Sequence, residues 1–168
     1  MKRSNKLLIC LLLIVATLFA FAACDDKPQA KQLSDLTLPQ LKGNEMALII
    51  KNGDGDYTQY IVDLGKLDND SPTCEHVLDY LHDKSDLALV WENGGFGKYV
   101  TTVGSISQGD GKYIFLYTSN LDYESAWASS TSYELGQDCK LVEAGVGVTE
   151  LPVAAGDIVY FELGTYNF

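Results

Sequence analysis

The feature that most restricts the fold is one helical stripe in a sequence that otherwise, after its N-terminal apolar run, consists of short strand-like segments. Four apolar residues recur at positions i, i+3, i+4 and i+7: Cys74, Val77, Leu78 and Leu81. This spacing places them on one face of a helix, which then has to pack against a core. Ser71 is positioned to cap this helix, with Pro72 in its first turn. The stripe therefore predicts one packed helix.

Strand patterns lie on both sides of this helix. Residues 46–51 form an apolar, β-branched run and residues 57–64 alternate, while Asn52-Gly53-Asp54-Gly55 between them is a strong hairpin signal. Further strands are predicted at residues 87–91, 99–106, 112–118 and 157–163. The predicted fold class is α+β, with a small antiparallel or mixed β-sheet and one packed helix.

The N-terminus predicts export from the cytoplasm. A short basic head precedes an apolar, uncharged run over residues 7–23, which is the layout of a secretory signal. The run ends at Phe21-Ala22-Ala23-Cys24 and resembles a bacterial lipobox, with Phe21 in place of the usual Leu. We expect residues 1–23 to be a lipoprotein signal peptide and Cys24 to carry the lipid on the extracytoplasmic face of the membrane. A plain cleaved signal is the alternative.

The net negative charge of the chain restricts the kinds of partner that it can bind. The chain has a net charge of −11, and removal of residues 1–23 takes away three of its 12 basic residues and none of its 23 acidic ones, which leaves −14. Arg3 is the only arginine. Because nucleic-acid binding depends on clustered cations, a nucleic-acid partner is excluded. The same charge disfavours anionic membrane surfaces, so the lipid is the expected membrane contact.

The mature chain divides into a tether and a domain. Residues 24–43 are polar, contain two prolines and have only scattered leucines, so we interpret them as the lipidated N-terminus and a flexible tether. Residues 44–168 are long enough to fold as one domain around a core.

The glycine cluster GGFGK at residues 94–98 is not a phosphate loop. A Walker A loop has Ser or Thr after its lysine and leads into a helix, whereas Tyr99 follows here and the predicted element is a strand. We expect Gly94, Gly95 and Gly97 to be turn or bulge residues that use positive φ.

No enzymatic motif is present in the sequence. Both histidines, His76 and His82, fall on the predicted helix without metal-ligand spacing. Asn52, Asp54 and Asp56 imitate the start of a calcium loop, but the required glycine at the sixth position is Tyr57. The sequence thus predicts no catalytic residue, no metal site and no cofactor, and we expect the protein not to be an enzyme.

Four stretches, taken in order, resemble the C-terminal β-domain of transcobalamin and intrinsic factor, which bacterial surface proteins also carry. They are SPTCEHVLDYL, WENGGFGKYVTTVGS, KYIFLYTS and GVTELPVAAGDIVYFEL, and the resemblance covers residues 46–163. It implies a β-grasp-like fold. The vertebrate carriers clamp a corrinoid between this domain and a preceding helical barrel, whereas only the tether precedes it here.

The resemblance and the anchor together suggest a non-enzymatic ligand-binding module at the cell surface. Its candidate ligand is a corrinoid or another small molecule, and a transporter or helical-barrel protein is a candidate partner. The alternative is a protein–protein or cell-envelope adhesion domain.

An insertion at residues 119–144 mixes aromatic with small polar residues, a composition suited to adaptable contact surfaces. The candidate ligand-binding residues are Phe96, Tyr99, Tyr123 and Trp127, because flat apolar ligands are held by aromatic walls. Trp127 could equally cap an open face of the sheet.

Two cysteines, Cys74 and Cys139, remain in the exported domain, an even pair that allows a disulfide. Against a bridge, Cys74 lies on the buried helical stripe, where a free thiol behaves as a small apolar side chain. The sequence leaves both alternatives open.

Overall fold

The structure is a computed structural model that describes residues 31–33, 36–95, 97–126, 132–135 and 139–166. Over these residues the strands are β1 (Lys31–Leu33), β2 (Glu45–Lys51), β3 (Tyr57–Asp63), β4 (Leu89–Gly94), β5 (Gly97–Val103), β6 (Ile106–Ser107), β7 (Tyr113–Thr118), β8 (Ser132–Leu135), β9 (Cys139–Glu143) and β10 (Ile158–Gly164). The α-helix, α1, spans Cys74–Lys84, and short 3-10 helices occupy Leu64–Lys66 and Leu121–Tyr123. In these described segments no helix has the length and apolarity needed to cross a bilayer.

Two sheets form, and the larger one is mixed. Its strand order is β1-β3-β2-β10-β7-β9-β8, and the smaller sheet has the order β4-β5-β6. Strands β2 and β10 pair in parallel, while the other neighbours are antiparallel. Both central strands are buried on both faces, which explains their continuous apolar sequences, MALII and IVYF. The predicted α+β class, a mixed sheet with one helix among the described residues, is confirmed.

Helix α1 packs on one face of the large sheet. Its predicted stripe, Cys74, Val77, Leu78 and Leu81, is buried and joins Met46, Leu48 and Phe161 in what we call the first core. The small sheet contributes Val100, Val103 and Ile106 to the same core. The helix therefore packs into a core that both sheets share, through the residues that its periodicity marks.

The start of α1 differs from the prediction. The N-cap is Thr73 rather than Ser71, because the backbone before it is occupied in extended pairing. Pro72 O accepts a hydrogen bond from Val153 N at 3.0 Å, and Thr73 forms a β-bridge with Pro152. His76 closes the cap, since its Nδ1 accepts from Thr73 N at 3.1 Å.

The opposite face of the large sheet has its own core, the second core, built from Ala47, Ile49, Tyr117, Leu141, Ile158 and Tyr160. The predicted tether over residues 24–43 is wrong in its C-terminal half, because Leu36, Leu38 and Leu41 pack against this core. Strand β1 also pairs with β3 at the edge of the sheet. The folded domain therefore begins before the predicted residue 44.

A buried carboxylate organises the polar part of the second core. Glu162, 9% exposed, accepts hydrogen bonds from the hydroxyls of Tyr133 and Tyr160 and lies 3.5 Å from Lys51 Nζ. Burial, together with the charge of Glu162, raises the pKa of Tyr117 and Tyr160. Because Tyr133 is on β8 and Glu162 on β10, this network ties the insertion to the centre of the sheet.

The described parts of the insertion, residues 119–126, 132–135 and 139–144, contain regular structure that the sequence analysis did not predict. They contain β8 and β9, which pair with each other, and β9 also pairs with β7. Leu141 and Val142 are fully buried, on opposite faces. Part of the insertion thus extends the sheet and covers the second core.

The GGFGK stretch forms the turn between β4 and β5, as predicted, but the expectation of positive φ at Gly94 and Gly95 is wrong, since of these three glycines only Gly97 has it. Gly94 and Gly97 are paired across it, and Gly97 has φ of +108°, a region that costs a side chain energy. A Cβ at either Gly95 or Gly97 would meet no atom within 4 Å, and Gly95 lies outside the positive-φ region.

We expect Gly97→Ala to lower the free energy of unfolding by about 1–3 kcal/mol, because only backbone strain distinguishes the substituted residue from glycine. Gly95→Ala is the matched control and should be neutral or slightly stabilising. Urea unfolding followed by circular dichroism measures both. Equal stabilities of the two variants would contradict the assignment of strain to Gly97.

The Glu162 network predicts a loss of stability at high pH. Burial, with the hydrogen bond to Glu162, raises the pKa of Tyr133 to about 12, above its ordinary value of about 10. The unfolded chain then ionises first, so this contribution to stability is complete below pH 10 and disappears as pH rises through 12.

Tyr133→Phe should therefore be less stable than the native chain by about 1.5–3 kcal/mol at pH 7, the usual loss for a hydrogen bond to a charged group. That difference should shrink between pH 10 and pH 12 in denaturant titrations. Tyr113→Phe, which removes an exposed hydroxyl, is the control. A Tyr133→Phe difference that stays constant across this range would rule out the linkage.

Candidate functional site

A cleft of about 260 Å³ opens between β5, β7 and the loop over residues 144–148. Its floor is apolar and well buried: Val100 is 8% exposed, Val148 5% and Phe161 0%. Ile114 and Leu116 complete the floor, and Lys98, Tyr99, Gln108, Tyr113, Phe115, Glu143 and Tyr166 lie around it. The cleft thus lies over the edge of the first core.

Strand pairing explains why the cleft exists. Strand β9 pairs with β7 only at Tyr117 and Thr118. Ala144 N still donates to Leu116 O at 2.9 Å, but Gly145 N donates to Tyr123 O, so the chain leaves β7 there. Over residues 113–115, β7 has no neighbouring strand on that side in the described part of the chain. The cleft opens where β7 lacks this neighbouring strand.

Aromatic rings form the rim of the cleft. Tyr99, Tyr113 and Tyr166 are 40%, 45% and 48% exposed, values that are high for large apolar rings. The Tyr166 ring lies against Phe115, with centroids 4.8 Å apart, and against Tyr113, with centroids 5.2 Å apart. Tyr113 and Phe115 share a face because they are two positions apart on one strand. Tyr113, Phe115 and Tyr166 therefore form a contiguous aromatic wall on one side of the rim.

The positive charge near the rim is paired with carboxylates of the helix. Lys98, on the cleft side of β5, pairs with Glu75 of α1 at 2.5 Å, and its Nζ lies 4.1 Å from the centroid of the Trp91 ring. Asp79 accepts from Trp91 Nε1 at 3.1 Å. The ammonium group is thus compensated by the helix and serves to hold β5 against it.

The tyrosines meet negative charge instead. Tyr99 donates its hydroxyl hydrogen bond to Glu92 at 3.0 Å, and this bond raises the pKa of Tyr99. Burial, and then the charge of Glu143, raises the pKa of Tyr166. Carboxylates therefore lie close to two of the three exposed rings.

The four predicted ligand-binding residues do not lie together in the structure. Tyr99 lies on the rim of the cleft. Tyr123 packs against the first core and is not part of the cleft lining. Phe96 and Trp127, like the predicted lipidation site Cys24, fall outside the described residues. Only one of the four candidates is thus placed at this site.

Sequence reasoning missed Tyr113, Phe115 and Tyr166. The alternation Tyr113-Ile114-Phe115 carried a usable signal, since it places two rings on one face of a strand. Tyr166 carried none, because its position depends on how the chain leaves β10. These three residues form the aromatic wall.

Cys74 and Cys139 are not brought together. Cys74 is buried in the first core and Cys139 packs against the second, so the sheet lies between them, and both thiols are free. The disulfide that the sequence left open is absent. Burial raises the pKa of both thiols, so neither is an activated nucleophile at neutral pH.

A second hollow, about 500 Å³, lies beside the cleft on the outer side of β5. Apart from Tyr113 and Val90, its lining is polar or glycine, and it lacks the buried floor of the cleft.

Across the described residues, no three His, Cys, Asp or Glu side chains are grouped so as to hold a metal ion.

No protein-family model matches the chain, and no curated protein matches it. Among solved structures, one similar chain is a protein from Ruminococcus gnavus ATCC 29149, known from a crystal structure at 1.30 Å resolution, for which metal binding has been suggested. The two share 15% sequence identity, the match covers 74% of this chain and 100% of the other, and the TM-score is 0.47. A likeness at this level does not bear on function.

Proposed function

We propose that the protein is a non-enzymatic binding module, anchored outside the cytoplasm by a lipid at Cys24, that takes an apolar part of a small ligand into the cleft. The observation that carries the proposal is the pairing of a buried apolar floor with three half-exposed tyrosines. Binding sites for small molecules combine such apolar walls with a few polar groups.

The size of the cleft limits how a corrinoid could bind. Its volume of about 260 Å³ is below the roughly 300–1,000 Å³ of pockets that enclose a drug-sized ligand. A corrinoid would therefore have only one edge or substituent inside. A transporter or helical-barrel partner would supply the other contacts.

The topology supports the proposed likeness to the transcobalamin C-terminal β-domain and its β-grasp-like fold. A hairpin, β2–β3, is followed by a helix that crosses one face of the sheet. The last strand, β10, then lies beside β2 and parallel to it. This order of elements is the one that a β-grasp arrangement requires.

The position of β1 bears on the proposed anchor. Since β1 begins at Lys31, only residues 24–30 separate the proposed lipid from the sheet edge, and they span at most about 25 Å. A module held this close to the membrane suits transfer of a ligand to a membrane protein.

A second candidate function is adhesion to an extended polypeptide. The open side of β7 over residues 113–115 carries it, because an unpaired strand edge is a template for strand addition. The same tyrosines would then act as contact residues of a protein interface.

Replacement of Cys24 by Ala should release the protein from the membrane fraction. The proposed lipid is attached through the cysteine, and alanine offers no point of attachment. Cell fractionation with immunoblotting measures the distribution. Cys10→Ala, within the predicted signal, is the control and should stay with the membrane. Membrane retention of Cys24→Ala would contradict the lipoprotein assignment.

Calorimetry of residues 25–168 with cobalamin and cobinamide tests the ligand. We expect weak binding, with Kd between about 1 μM and 1 mM, because one cleft contributes only part of the contact. Tyr113→Ala and Tyr166→Ala should weaken it, whereas Leu121→Ala, an exposed residue outside the cleft, should not. Absence of heat at millimolar ligand would favour the adhesion function.

A further inference from the structure

We propose that the cleft is a socket for a planar bicyclic aromatic group carried by a neutral or cationic small molecule. The inference rests on the proposed function and specifies the chemistry of the ligand. It follows from the volume of the cleft, from the nature of its walls and from the charges around it.

Volume sets the size of the group. A dry apolar cavity of about 150 Å³ accepts a benzene ring, so the cleft, at about 260 Å³, would be half empty around one ring. A macrocycle or a fused system of four rings exceeds it. Two fused rings fill it.

The walls set the shape. The floor residues Val100 and Val148 are 8% and 5% exposed and offer a ligand only small apolar patches, with the fully buried Phe161 behind them, so a polar group placed there would lose its hydration without a partner. Tyr113 and Tyr166 line the entrance with their rings. A flat aromatic group at the open edge of β7 can contact the apolar floor on the first-core side and these rings on the other side of the strand.

The charged groups around the cleft determine which ligand charge is favoured. Lys98 is the cation of the cleft lining, and Glu75 at 2.5 Å and Asp79 at 4.0 Å already compensate it. Glu143 lies on the rim, and Glu92 holds the hydroxyl of Tyr99. Aromatic faces attract cations, and the whole chain carries −11. An anionic ligand would therefore be disfavoured.

The test compares three bicyclic probes of different charge: tryptamine, indole and indole-3-acetate. Each is titrated into residues 25–168, and binding is followed by the chemical shifts of backbone amides. We expect indole to bind, tryptamine to bind about two- to fivefold more tightly, and indole-3-acetate to bind most weakly. The difference between the charged probes should shrink as salt is added.

A blocking variant locates the site. Gly147 lines the cleft, has no positive φ, and a Cβ there would meet no atom within 4 Å, so Gly147→Trp should fold and fill the cleft mouth. It should abolish binding of indole and tryptamine. Gly53→Trp is the matched control, since Gly53 is also open and unstrained but lies in the β2–β3 turn, and it should bind as the native chain does.

The outcomes separate this inference from the proposed function. Binding of indole probes that Gly147→Trp blocks, without binding of corrinoids, supports the socket and removes the corrinoid. Corrinoid binding that indole does not compete with overturns the socket and keeps the proposed function. Tightest binding by indole-3-acetate, or no probe binding at millimolar concentration, also overturns the socket.

Discussion

The parallel pairing of β2 with β10 is the interaction on which the rest of the molecule depends. Each strand sends alternate side chains to opposite faces, Leu48 and Phe161 to the first core and Ile49 and Tyr160 to the second. A pair buried in this way needs cover on both sides. Helix α1 and the small sheet cover one face, and residues 36–41 with part of the insertion cover the other. The sheet is therefore covered on both faces because its two central strands carry apolar side chains on both faces.

Local patterns made most of the regular structure predictable. The stripe that begins at Cys74 marked the buried face of α1, and the turn after residue 51 marked the first hairpin, because both signals are complete within a few residues. The leucines at residues 36–41 gave no such signal. Their spacing fits neither a helix nor an alternating strand, and only the presence of a second apolar face explains their burial.

The candidate site was less predictable than the fold, since it is assembled from distant parts of the chain. Tyr99 could be chosen as an aromatic residue next to a turn, but Tyr113 is on β7 of the other sheet and Tyr166 follows the end of β10, so only the folded chain brings the three together. The partition of Cys74 and Cys139 between the two faces is of the same kind. Composition can supply a pair of thiols, whereas topology decides whether they meet.

The central place of β10 also fixes the order in which the domain can fold. Strands β2 and β3 can form a hairpin early, but β10, which joins that hairpin to β7, lies more than 100 residues after β2. Neither core can close until this late segment is present, and contacts of such long sequence separation form slowly. Completion of both cores is therefore a late event in the folding of the chain.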